Sequence, residues 1–150
     1  MYKHILVPTD GSKLSDKAVK EAMGLATALK SKVTLFHVAP LQIWPVYAES
    51  AVIMASYSKN EFRVEARREA EELLAKAAKR AGGNVGTHFE FSDLPYEAIC
   101  KTAAKLKCDL ILMSSHGRRG MTGFLLGSET QKVLTQIGRA SCRERVYSSV

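Results

Sequence analysis

Between Ser114 and Thr130 the chain reads Ser114-Ser115-His116-Gly117-Arg118-Arg119-Gly120-Met121-Thr122-Gly123-Phe124-Leu125-Leu126-Gly127-Ser128-Glu129-Thr130, with four glycines and two arginines. Gly117 and Gly127 allow a backbone to approach a ligand where a Cβ would clash, or to take positive φ. Ser128, Glu129 and Thr130 would open a following helix. The free N–H groups and positive dipole end of such a helix favour an anion such as phosphate, and Arg118 and Arg119 add positive charge. No Gly-Lys-Ser/Thr follows the glycines, so this is not a Walker loop. On glycine content alone, a capped surface loop explains it equally well.

A second polar segment, Pro8-Thr9-Asp10-Gly11-Ser12, follows an apolar run near the N-terminus. Asp10 would meet a metal through bound phosphates, but no second carboxylate is placed by sequence to complete a site. His116 either touches phosphate, serves as acid or base, or, more commonly for such a residue, makes a structural hydrogen bond. His37 lies in a strand and reads as a packed residue. Cys100 and Cys108 read as small core hydrophobes. Three cysteines without metal-ligand spacing read as reduced thiols rather than a disulfide framework. No nucleophile stands beside a base that would activate it.

These segments need elements to hold them. Ile5-Leu6-Val7 is a short, continuously apolar run, as in a strand buried on both faces of a parallel sheet. From Ser15 to Lys30, Ala18, Ala22, Leu25 and Leu29 recur at helical spacing, with Ser12 or Ser15 available as N-cap. Val33 to Val38 is a second strand. Leu41 to Lys59 reads as a loop with room for one short helix. Asn60 to Arg80 is a charged helix with Phe62, Ala66, Ala70, Leu73 and Ala77 on one face, stopped by Gly82-Gly83. Val85 to Phe91 alternates as a third strand, Pro95 begins a helix through Leu106, Asp109 to Ser114 is a fourth strand, and a last helix starts near Ser128. Strand–helix alternation predicts an α/β fold: an open parallel sheet with helices on both faces. Ligands of such sheets bind beyond the carboxyl ends of the strands, where the strand order reverses. Both polar, glycine-bearing segments follow strand carboxyl ends.

Length and composition narrow the classes. The chain's 150 residues suit one domain, and 46% hydrophobic with 25% charged residues suits a globular chain. No apolar run approaches the roughly 18 residues of a membrane span, and the N-terminus lacks a signal-peptide pattern, so the expected location is the cytoplasm with no membrane partner. The net charge is +7, but the last 14 residues, with three arginines and one glutamate, supply +2 of it. The rest is spread over helix surfaces that also carry Glu and Asp. The stripe of Arg67, Arg68, Lys76, Lys79 and Arg80 reads as a solvated helix face rather than a nucleic-acid surface.

Ser114, two residues, Gly117, nine residues, then Gly127-Ser128 resembles the Gly-x2-Gly-x9-Gly-Ser/Thr nucleotide motif of the universal stress protein family. Lys3-His4-Ile5-Leu6-Val7-Pro8-Thr9-Asp10-Gly11-Ser12 is similar to the family's first strand and acidic loop. His37-Val38 and Cys108-Asp109-Leu110-Ile111-Leu112-Met113 match in the same register, over residues 1–136. The resemblance implies a Rossmann-like sheet of order 3-2-1-4 and binding of ATP, with or without Mg²⁺. It places Asp10 by the nucleoside, Val38 against adenine, and Gly117, Gly127, Ser128 and Thr130 on ribose and phosphates. Thr9, Met113, Ser114, Arg118 and Glu129 complete the implied nucleotide-binding set. The motif's first glycine is Ser114 here, whose Cβ either crowds the ribose or is absorbed.

After Gln136 the resemblance stops. A member of the family would continue into a Pro-Val-Leu-Val-Val-like fifth strand. Here Ile137-Gly138-Arg139-Ala140-Ser141-Cys142-Arg143-Glu144-Arg145-Val146 has no buried-strand pattern and looks like a sequencing adapter translated in one frame; a divergent basic tail is the other reading. The expectation is a truncated nucleotide-binding domain at 1–136 and a non-native or disordered tail at 137–150. The fifth strand, which commonly pairs two subunits in the family, would then be missing and the fourth left as a bare edge, throwing the family's homodimer into doubt for this chain.

Three functions stay open at this level: a stress-response sensor or regulator that binds an adenine nucleotide, a dimeric interaction module with a vestigial loop, and a weak ATPase. Phosphoryl transfer needs positioned metals and a group orienting the nucleophile, for which only Asp10 and His116 offer themselves. The glycine spacing makes one expectation direct. Gly127→Val should abolish ATP binding by calorimetry while leaving the far-ultraviolet circular dichroism unchanged; parental affinity in that variant would show that the backbone at Gly127 does not approach a ligand.

Overall fold

Apolar residues on both phases of a strand demand cover on both faces, and β1 (His4–Pro8) meets that demand with Ile5, Leu6 and Val7 fully buried. The computed structural model describes residues 2–41, 59–114, 128–139 and 145–149. β1 is followed by α1 (Lys13–Leu29), β2 (Lys32–Ala39), α2 (Lys59–Ala81), β3 (Gly86–Phe91), α3 (Pro95–Lys105), β4 (Leu110–Ser114), α4 (Ser128–Arg139) and β5 (Arg145–Ser149). The loop expected after Leu41, with its short helix, lies outside the described residues.

Local signals set the helix limits. Ser12, extended at φ −74° and ψ 159°, caps α1 by accepting from Ser15 N–H, and Lys30 ends it in the left-handed region at φ 55°. Gly82 stops α2 at φ 70°, a conformation that side chains rarely adopt. Pro95 begins α3, where its missing N–H has no helical partner to lose.

The described strands form one parallel sheet of order β3-β2-β1-β4-β5. The sequence-predicted order 3-2-1-4 is therefore observed, with helices on both faces. On one face Ile5, Val7, Val33, Leu35, Leu110 and Leu112 pack against Ala18, Val19 and Ala22 of α1 and Leu74 and Ala77 of α2. On the other, Leu6, Phe36, Ile111 and Met113 pack against Ala98, Ile99 and Ala103 of α3 and Val133 of α4. No helix among the described residues is long and apolar enough to cross a membrane.

The bare β4 edge expected from the sequence is corrected. β5 pairs with β4 in parallel from Leu110 opposite Arg145 to Ser114 opposite Ser149. An edge strand is held by backbone N–H and C=O groups and needs no continuous apolar run, so the absence of a buried-strand pattern did not exclude it.

At the amino ends of the strands the Asp109 carboxylate accepts Lys3 N–H at 2.9 and 3.1 Å and His4 N–H at 3.0 Å. Burial pushes the Asp109 carboxyl upward, but these backbone donors outweigh it and leave it below its ordinary value. The His4 ring joins three elements: Nδ1–H donates to the Leu106 carbonyl at 3.2 Å, which leaves Nε2 to accept the Thr34 hydroxyl at 2.8 Å. Burial lowers the His4 pKa from 6.5; the Leu106 carbonyl opposes this and Lys32 reinforces it. The unfolded chain then binds more protons than the folded one as pH falls below His4's ordinary value, so stability falls with it. Urea denaturation from about pH 7 to about pH 5 should show a shallower pH dependence for His4→Gln than for the parent. Equal slopes would exclude His4 as the group responsible.

Candidate functional site

β1 lies between β2 and β4: the chain winds outward through β2 and β3 on one side, then through β4 and β5 on the other. The order reverses at β1 and β4, and the helices that follow them pack on opposite faces, the arrangement that in such sheets places ligands at the carboxyl ends. Thr9 to Ser12 follows β1 there, and Ser114 ends β4.

The β1–α1 connection satisfies its polar groups internally. Gly11 N–H donates to Thr9 Oγ1 at 3.2 Å, Thr9 and Ser15 hydroxyls meet at 3.0 Å, and Ser15 Oγ–H donates to the Ser12 carbonyl at 2.9 Å. Ser15's single proton is thereby used, so the Thr9 hydroxyl is the donor in the middle link. Ser12 N–H turns back to Asp10 Oδ1 at 3.0 Å, and Gly11 sits at φ 76°. His37 Nδ1–H donates to the Thr9 carbonyl at 2.8 Å, tying the end of β2 to the start of the loop. Asp10 is thus held half-buried by a connected network.

α4 supplies the other wall. The buried Thr130 donates its hydroxyl to the Ser114 carbonyl at 3.1 Å, fixing the first turn of the helix against the end of β4. The first N–H groups of a helix lack intrahelical acceptors and carry its positive dipole end. Val38 is half-buried near the carboxyl end of β2, and Met113 is buried beneath the end of β4. The structure therefore brings Thr9, Asp10, Val38, Met113, Ser114, Ser128, Glu129 and Thr130 to the same end of the sheet. Gly117, Arg118 and Gly127, with His116 and Arg119, lie outside the described residues.

Two of these residues carry tasks that the sequence did not disclose. The Thr9 side chain is buried and its hydroxyl belongs to the chain of hydrogen bonds that ends at Ser12, so it shapes the loop from within. Glu129 turns to α3: its carboxylate accepts Tyr96 N–H at 3.1 Å and Lys132 Nζ–H at 3.0 Å, and the Lys132 ammonium lies 5.4 Å from the Tyr96 ring centroid. α3 has no side-chain cap of its own at Leu94, so Glu129 supplies from a neighbouring helix the acceptor that a local Ser or Asp would provide. The apolar residue at Leu94 was the available signal. His37, expected from the sequence to be a packed residue, also tethers β2 to the loop that follows β1.

The site has the parts of an anion-binding crevice with an apolar flank: a helix N-terminus, a fixed carboxylate and a half-buried valine. No group of three or more metal-ligating His, Cys, Asp or Glu residues occurs among the described residues.

The model of the universal stress protein family matches residues 1–138. The universal stress protein MJ0531 of Methanocaldococcus jannaschii is 31% identical over 135 residues, spanning 89% of this chain and 76% of its own. The solved structure of MJ0577 from the same organism superposes with a TM-score of 0.74 at 27% identity, covering 100% of this chain and 98% of its own. A universal stress protein solved in complex with cAMP superposes with a TM-score of 0.67 at 22% identity, covering 97% of each chain.

The cap shared between helices gives a stability test. Glu129→Ala leaves the partly buried Tyr96 N–H without its acceptor and should cost about 1–2 kcal/mol in urea denaturation. Glu129→Gln, whose amide oxygen still accepts, should cost less. Equal losses for the two would point to the charge, not the hydrogen bond, as the stabilising feature.

Proposed function

This chain belongs to the universal stress protein family, and we propose on that premise that it binds an adenine nucleotide, with ATP as the intended ligand, at the carboxyl ends of β1 and β4. The observation that carries the reading is the Thr130–Ser114 hydrogen bond, which sets a helix N-terminus at the end of β4, the strand paired with the one that leads into the braced Asp10 loop. A relative of the same fold holds cAMP, a ligand with the same base. In this reading Val38 packs against adenine, Asp10 accepts a ribose hydroxyl, and the N–H groups of Ser128, Glu129 and Thr130 meet phosphate with Gly117, Arg118 and Gly127. Magnesium would come with the phosphates, with Asp10 as the nearest carboxylate of the loop.

Binding of this kind suits a sensor or regulator in a stress response: the ligand adds to a braced framework and reports its concentration through the stability of the loop and α4. A cytoplasmic location and a homodimer paired along the β5 edge belong to the same proposal. Native mass spectrometry of the purified chain should show a bound adenine nucleotide, and calorimetry of the stripped chain should show ATP binding. Absence of both would leave an interaction module whose loop is vestigial. Turnover of ATP with Mg²⁺ well above that of Gly127→Val would replace the sensor reading by an enzymatic one.

Ser114 offers a finer test. Its carbonyl, which Thr130 uses, is kept in any substitution, so Ser114→Gly changes only the side chain at the mouth of the crevice. Affinity for ATP should be equal or tighter. A clear loss would assign the Ser114 hydroxyl a contact of its own.

A further inference from the structure

Among the described residues the sheet ends at β3, opposite the β5 edge, and the nucleotide reading makes no use of that end. Ser92 N–H donates to the Ala39 carbonyl at 2.9 Å. Backbone groups on the same phase, those of Gly86, His88 and Glu90, therefore face β2, and those of Thr87, Phe89 and Phe91 face outward. On the α2 face the Phe89 and Phe91 rings meet edge-on with centroids 5.6 Å apart. Arg67 lies 5.7 Å from the Phe89 centroid and Arg63 lies 5.2 Å from that of Phe91. Among the described residues neither arginine is in an ion pair, whereas the adjacent Arg68 is held between Glu65 and Glu72. A groove of about 490 Å³ runs along the Thr87 to Phe89 part of this edge, its walls including Arg67, Glu71, Leu74, Thr87, His88 and Phe89.

We propose that the outer edge of β3 is a docking site for an extended acidic segment of a partner protein, which adds to the sheet as a strand and sets alternate carboxylates against Arg63 and Arg67. The spacing fits. Residues four apart on a helix rise by about 6 Å, and alternate residues of a strand repeat at about 6.6 Å. The backbone groups of Thr87, Phe89 and Phe91 supply affinity, and the two guanidinium groups, already placed over aromatic rings, supply selectivity. Glu71 reverses the charge at the Thr87 end of the groove, so the acidic part of the segment lies opposite Phe89 and Phe91. A second copy of this chain is a poor occupant: pairing two β3 edges about a two-fold axis puts both α2 helices on one face and like charges at the junction.

The probes are two capped peptides, Val-Glu-Val-Glu-Val and Val-Lys-Val-Lys-Val, titrated into the full chain at low ionic strength. The glutamate peptide should slow hydrogen exchange at the amides of Phe89 and Phe91, and the lysine peptide should not. Arg67→Gln should weaken the glutamate peptide severalfold, and Arg63→Glu with Arg67→Glu should weaken it at least about tenfold and transfer the preference to the lysine peptide. No protection by the glutamate peptide at millimolar concentration, equal response to both peptides, or unchanged affinity in both variants would overturn the assignment. Protection of the same amides that grows with protein concentration alone would assign the edge to self-association and overturn it as well.

Discussion

β1 is hydrogen-bonded along both of its edges: Lys3 C=O accepts from Lys32 and Thr9 N–H donates to Phe36 C=O on the β2 side, while His4 C=O accepts from Asp109 on the β4 side. Because Ile5 and Val7 fill one face and Leu6 the other, a slip of one residue would turn every side chain to the wrong layer. A strand fixed in this way gives the molecule two fixed points. At its amino end His4 and Asp109 lock it to α3 and the start of β4. At its carboxyl end Thr9 leaves the sheet at a set place and direction, and the crevice between β1 and β4 is built on that exit.

The described segments of the proposed site are held by hydrogen bonds of their own. A loop carrying Asp10 beside a buried threonine would be costly if its polar groups were left unpaired, since each buried orphan costs about 1–3 kcal/mol. The hydroxyls of Thr9 and Ser15 remove that cost by linking Gly11 N–H to the Ser12 carbonyl. On the opposite wall Thr130 holds α4 to Ser114, and Glu129 joins α4 to α3. Binding a nucleotide between two walls already held by such bonds loses less conformational freedom than ordering them at the moment of binding.

Much of this was legible in the sequence because the signals were local. Ile5-Leu6-Val7 and Leu110 to Met113 are buried on both faces and read as apolar runs, Ala18 and Ala22 mark a helix face, and Gly82 marks a stop. The proposed site was placed by two polar segments that follow strands. What stayed hidden depends on contacts between distant residues. Nothing around Glu129 reveals that its carboxylate reaches Tyr96, 33 residues away in sequence, and nothing in Thr9 alone reveals a partner in Ser15. β5 was missed for another reason. Its residues pair through the backbone at an edge, where side-chain pattern carries little information. Of the cationic flank of β3 only Arg67 was legible, as part of a charged stripe, since the rings under Arg63 and Arg67 come from a different element.

We propose the carboxyl ends of β1 and β4 as an adenine-nucleotide site. Its most direct measurement is a titration of the isotopically labelled chain with ATP, followed through backbone amide resonances. Shifts should concentrate at Asp10 to Ser12, Val38, Ser114 and Ser128 to Thr130, while the amides of Lys3, His4 and Asp109 at the opposite end stay in place. Shifts confined to the amino ends of the strands or to the β3 edge, or none at millimolar ATP, would contradict it.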